Sequence, residues 1–208
     1  VNDLTNPFFS KIIKGVEEVA QQYGYSVLLG DTHGDKARER AYADMALTGR
    51  ADGLIQLDHS FPFSEKDTRL AETVPMISVC DAIDSDKQYP FITIDNHAAS
   101  REIGKHLIDL GHEKIAVISG QDGSRITRDR IGGLESVLNE SGLLLKKKWI
   151  AQGSYTMQSG EACALKLLEL DEIPTAIFCF SDEIAVGAIK AIKSKGLKVP
   201  QDISVIGF

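Results

Sequence analysis

Four short stretches carry side chains suited to holding a small polar molecule: Asp58-His59, Asp95-Asn96, the run 120–130, and Ser181-Asp182. Each follows a run rich in β-branched residues. Acids and amides at several such points match the hydroxyls and amino groups of a ligand, which need donors and acceptors in fixed places. Arg125, Arg128 and Arg130 cluster in one stretch. Arginines there are ordinarily solvated, but one that reaches a cleft can make two parallel hydrogen bonds to a base or sugar edge. Phe8 and Phe9 open a helix-like run, and Tyr155 stands between Gly153 and Thr156. Such rings either pack in a core or wall a flat ligand. Ser181-Asp182-Glu183 also reads as a helix N-cap followed by first-turn acids.

Chemistry of other kinds is not recommended by any spacing. Gly30-Asp31-Thr32-His33-Gly34 lacks the pattern of a phosphate-cradling loop. No Gly-x-Ser-x-Gly elbow occurs. The histidines are His33, His59, His97, His106 and His112, and none has a companion at metal-ligand spacing. His112, in Gly111-His112-Glu113-Lys114, reads as a residue capping a helix C-terminus. The expectation is a binding protein and not an enzyme, with no cofactor and no metal. The cysteines, Cys80, Cys163 and Cys179, are odd in number and include no Cys-x-x-Cys. They read as buried thiols of a reducing compartment, hence a cytoplasmic protein.

The elements that must position these groups alternate along the chain. Strands are expected at 26–29, 53–57, 76–79, 91–94, 114–118, 176–179 and 203–206. Most are nearly continuous in apolar character, as parallel strands covered on both faces are. Helical spacing predicts helices over 7–23, 36–47, 65–72, 98–110, 128–140, 158–170 and 183–195. Asn6 and Pro7 start the first, and Gly24 and Gly196 end the first and last. The alternation predicts an α/β fold with parallel sheets flanked by helices. In such sheets the ligand groups lie at the C-terminal ends of the strands, where all four stretches fall. The polar break 81–90, followed by the switch at Asp95-Asn96, predicts two lobes, 1–95 and 96–208. Both ends read as cut: the first strand lacks room before the first helix, and no closing helix follows Phe208.

Composition bounds the partners. The 208 residues are 43% hydrophobic and 25% charged, which is globular. Thirty acidic residues against 23 Lys and Arg leave a net charge of -7, with Lys146-Lys147-Lys148 the one tight basic run. A phosphate backbone demands a concentrated basic surface, so this chain is not expected to hold nucleic acid itself. No apolar stretch approaches the roughly 18 residues of a membrane span, so no membrane is expected as a partner.

Several motifs occur in order. They are Asn6-Pro7-Phe8-Phe9, the run from Gly111-His112-Glu113-Lys114 to Ser119-Gly120, Pro174-Thr175-Ala176-Ile177-Phe178-Cys179, and the run from Val199-Pro200-Gln201-Asp202 to Gly207-Phe208. The ordered set resembles the lactose/galactose repressor family along essentially the whole chain. The resemblance implies a two-lobed, periplasmic-binding-protein-like effector domain, truncated at both ends. It implies a homodimeric bacterial repressor whose operator contacts lie in a separate N-terminal helix-turn-helix. The same fold serves periplasmic sugar-binding proteins of transporters, which is the alternative reading.

The resemblance also implies site residues. Phe8 and Phe9 match a pocket-wall pair, Ser124, Arg125 and Ile126 a ligand-contacting loop, and Arg130 a ligand-bonding arginine. Tyr155 matches an aromatic of the opposite wall, and Ser181 and Asp182 follow a strand-end motif. Asp58 joins them as a strand-end acid. Ser124 stands where purine-responsive members carry arginine, which disfavours a purine base. Gly30-Asp31, Pro62-Phe63 and Cys179-Phe180-Ser181-Asp182 resemble the nucleoside-responsive members. That likeness implies cytidine as effector, bound between the lobes, and a cyclic-AMP-responsive activator as a further partner.

Overall fold

The computed structural model describes residues 1, 3–67, 72–85, 87–120 and 123–208, with the side chain of Glu65 also set aside. The chain divides into two compact units, Val1–Ile94 and Asp95–Phe208. The α/β class, with parallel sheets flanked by helices, is as the sequence predicts.

In the first unit, α1 (Pro7–Gln22) starts where Asn6 accepts a hydrogen bond from the Phe8 amide. Then come α2 (Lys36–Leu47), β1 (Leu54–Gln56), a 3-10 turn (Glu65–Asp67), β2 (Met76–Val79) and β3 (Phe91–Ile92). The sheet order is β1-β2-β3, all parallel, with Leu54 beside Met76 and Ser78 beside Phe91. Its core is small: Ala43, Phe63, Met76 and Ile83.

The second unit holds α3 (Asn96–Asp109), β4 (Ile115–Ser119), α4 (Arg125–Glu140), a 3-10 turn (Lys147–Trp149), β5 (Ile150–Gln152), α5 (Met157–Leu168), β6 (Ala176–Cys179), α6 (Asp182–Ser194) and β7 (Ser204–Ile206). The parallel order is β5-β4-β6-β7. The central pair β4 and β6 is buried at every residue. Helices α5 and α6 pack closely on each other because glycine removes side chains at their contacts. A Cβ on Gly160 would collide with the Ile184 backbone, and one on Gly187 with the Met157 carbonyl. Such contacts let helix backbones approach more nearly than larger residues allow.

Local sequence and observed elements differ at four places. Residues 26–29 form no strand; the nearby ladder bonds run from Thr32 N to the Val1 carbonyl and from the Val1 amine to the Gly30 carbonyl, just beyond them. A strand exists only where a neighbour pairs with it, and apolar composition cannot supply one. Strand β5 is not expected from the sequence, because it is only three residues long and lies one residue after the lysine run. Of the helix expected at 65–72, Glu65–Asp67 form a 3-10 turn, and residues 68–71 lie outside the described residues. The helix expected from 128 begins at Arg125, because Ser124 caps it by accepting from the Thr127 amide at 3.5 Å.

Candidate functional site

The second unit collects most of the expected residues at the C-terminal ends of its strands. On α4, Arg130 lies on the face that carries Thr127, Leu134 and Val137, all buried. Arg130 is 8% exposed. Its Nε donates to Asn96 Oδ1 at 2.9 Å, and an Nη1 hydrogen goes to the Phe180 carbonyl at 2.6 Å. Its guanidinium carbon lies 3.3 Å from the ring centroid of Phe208 and 5.7 Å from that of Phe180. Phe178 backs both rings. Withdrawing a guanidinium from water costs several kcal/mol, and charge-assisted bonds with cation–π contact offset that cost. Arg125 and Arg128 stay exposed, and Arg125 pairs with Asp129 at 3.4 Å. Of the three arginines, the helix turns Arg130 inward.

Around this centre, Ser124 is buried as the N-cap and Ile126 is half-buried. Gln121 and Asp122, inside the expected run 120–130, lie outside the described residues. Tyr155 is half-buried against the core of this unit, and its ring rests where a Cβ on Gly120 would be. Ser181 caps α6, accepting from the Ile184 amide at 3.2 Å. Asp182 is therefore the first helical residue, exposed, with its carboxylate over Gly207 at the end of β7. Arg130, Tyr155 and Asp182 thus belong to strand ends of one sheet.

In the first unit, Phe8 is 54% exposed and meets the half-buried Phe9 edge to face, with centroids 5.4 Å apart. No residue of α1 is buried. Asp58 follows β1. Its Oδ1 accepts from the Ser60 amide at 2.8 Å and lies 3.4 Å from His59 Nδ1. This loop is tied down by Glu39, a buried carboxylate on α2. Glu39 accepts from the Ser60 hydroxyl at 2.6 Å and from the Gln56 amide, with Lys36 3.3 Å away. Sequence reasoning missed Glu39. Its signal was an acid four residues before Ala43, on the helix face that is buried.

Sequence reasoning named Asn96 as a strand-end amide but missed its bond to Arg130, and it left Phe208 without a contact. Both partnerships span long sequence separations, which no local pattern encodes. His112 closes a helix end as expected, through its backbone. Its amide bonds the Leu107 carbonyl at the end of α3, and its ring is held by two hydroxyls. Nδ1 meets Thr175 Oγ1 and Nε2 meets Ser204 Oγ, both at 3.0 Å, and burial lowers its pKa.

Lys114, Lys146 and Lys148 converge on Glu172 and hold its carboxyl at about 2. Burial pushes the Cys179 thiol up to about 12. Among the described residues, no group of three His, Cys, Asp or Glu side chains could hold a metal ion. No helix among them is long and apolar enough to cross a membrane.

The chain matches, over residues 1–208, the family described as periplasmic binding proteins and sugar binding domain of LacI family. It is 34% identical to the HTH-type transcriptional repressor CytR of Escherichia coli (strain K12), covering 100% of this chain and 61% of that protein. It is also 34% identical to the HTH-type transcriptional repressor PurR of Haemophilus influenzae (strain PittEE), covering 97% and 60%. The crystal structure of the transcription regulator CcpA of Lactococcus lactis superposes with a TM-score of 0.87 at 30% identity, covering 99% of this chain and 74% of that one. The chain spans about three fifths of the length of the two curated relatives.

Proposed function

The chain belongs to the LacI family of effector-binding domains, and from that premise we propose that it senses a nucleoside, cytidine foremost. The observation that carries the reading is the buried guanidinium of Arg130, bonded to Asn96 and the Phe180 carbonyl and lying on Phe208. A positively charged, oriented donor suits the carbonyl edge of a pyrimidine or the hydroxyls of a ribose. Phe8, Phe9 and Tyr155 are rings on which a base can stack, and Asp58, Ser181 and Asp182 are acceptors for hydroxyls and amino groups.

In the full-length protein this domain would act in a cytoplasmic homodimer. Operator DNA would be held by an N-terminal helix-turn-helix, and effector binding would modulate that grip, with a cyclic-AMP-responsive activator as a further partner. The net charge of -7 supports assigning the DNA contact elsewhere.

The test is calorimetry of the full-length protein against cytidine, adenosine, hypoxanthine and ribose. Cytidine is expected to bind most tightly. Tighter binding of hypoxanthine or of ribose alone would overturn the nucleoside reading and leave the family assignment standing.

A further inference from the structure

We infer that Asn96 and Phe208 are positioning residues that set the plane of the Arg130 guanidinium and so decide which ligand groups it can meet. This inference rests on the proposed role of Arg130 in effector binding. Asn96 is 4% exposed and opens α3, while Phe208 follows β7. The bonds from Nε to Asn96 and from Nη1 to the Phe180 carbonyl leave in the guanidinium plane from two different atoms. Two such bonds fix both the plane and its in-plane rotation. The Phe208 ring, 3.3 Å from the guanidinium carbon, covers a face of it.

The chemical consequence is selectivity. Through the covered face, Arg130 cannot stack on a base. It recognises in-plane acceptors such as a ring carbonyl or a hydroxyl oxygen, whose lone pairs lie along its N–H directions. An arginine free to rotate would accept either arrangement. It would also lose rotamer entropy on each binding event, a cost that prior fixation removes.

The experiment uses the full-length protein labelled with ¹⁵N-arginine, and its first arm needs no ligand. The Arg130 Nε–H signal should be slow to exchange with water in the parent protein. Exchange should quicken at least about tenfold in Asn96→Ala and in Phe208→Leu, while Asn96→Asp, which keeps the acceptor, restores protection. Thermal unfolding checks that each variant is folded, and Asn96→Ser replaces Asn96→Ala if that variant fails.

The second arm is calorimetry with cytidine. Asn96→Ala should weaken binding at least about tenfold alone and add nothing in an Arg130→Ala background, since residues acting through one another are not additive. Unchanged Nε–H protection in folded Asn96→Ala and Phe208→Leu, or full additivity with Arg130→Ala, overturns the inference. A parent protein that ignores cytidine instead refutes the nucleoside reading, and the exchange arm still decides the positioning.

Discussion

The guanidinium of Arg130 lies against the ring of Phe208, 3.3 Å from carbon to centroid, beside the aromatic and aliphatic core of its unit. A charge in that position serves structure, and under the proposed function it serves recognition as well. Arg130→Ala leaves the Phe180 carbonyl and Asn96 Oδ1 without this donor. Each such loss costs about 1–3 kcal/mol. Affinity for cytidine should fall at least about tenfold, or 1.4 kcal/mol. Calorimetry and thermal unfolding of the full-length variant check both. Unchanged affinity in a folded variant would leave Arg130 with a structural role alone.

The helix contacts of the second unit predict opposite responses to one kind of substitution. Gly160→Ala and Gly187→Ala each drive a methyl into backbone of the neighbouring helix, with no flexible atom to yield. Each should destabilise by about 1–3 kcal/mol, the usual range for overpacking. Gly15, on the exposed surface of α1, meets nothing within 4 Å. Gly15→Ala should stabilise by about 0.4–1 kcal/mol, by restricting the unfolded chain. Denaturant unfolding reads all three, and destabilisation by Gly15→Ala would contradict the open surface there.

His112 makes stability depend on pH in a definite direction. Its pKa is lowered by burial from 6.5, so the folded protein favours the neutral ring. Its contribution is therefore present above pH 6.5 and is lost as the pH falls through the depressed folded value. His112→Gln should flatten this part of the profile. Glu172, held at about 2 against an ordinary 4.5, acts in a lower window: its contribution is present above pH 4.5 and lost as pH falls toward 2. Glu172→Gln should remove that part and reduce the sensitivity to salt, because the three lysines and the carboxylate are exposed to screening. Identical pH profiles for parent and variants would rule out both assignments.

The thiols should react in order. Cys80 is half-buried, whereas Cys163 and Cys179 are buried. The Cys179 thiol, raised to about 12, carries almost no thiolate near pH 8. Under native conditions an alkylating reagent should modify Cys80 first and Cys179 only on unfolding. Mass spectrometry of peptides after timed labelling measures this. Early modification of Cys179 would contradict its burial.

Much of the architecture was legible because it is written in local periods. The buried strands β4 and β6 are continuous apolar runs. Helix α1 announces itself through Asn6 and Pro7, and Gly111 and Gly196, both at positive φ, mark helix ends. The motif order along the chain carried the family.

What failed to read was everything that depends on a partner distant in sequence. Residues 26–29 have the composition of a strand, but pairing decides a strand. Arg125, Arg128 and Arg130 look alike in the sequence, and only the packing of α4 shows that Arg130 shares the buried face with Leu134 and Val137. Asn96, Phe180 and Phe208 all contact Arg130, and they meet only because α3, β6 and β7 converge at one end of a sheet. The sequence by itself determined the fold class, the family and the candidate side chains, since hydrophobic period and ordered motifs are properties of neighbours along the chain. Tertiary structure alone decided which arginine is buried and what orients it, because desolvation and hydrogen-bond geometry depend on distances in space.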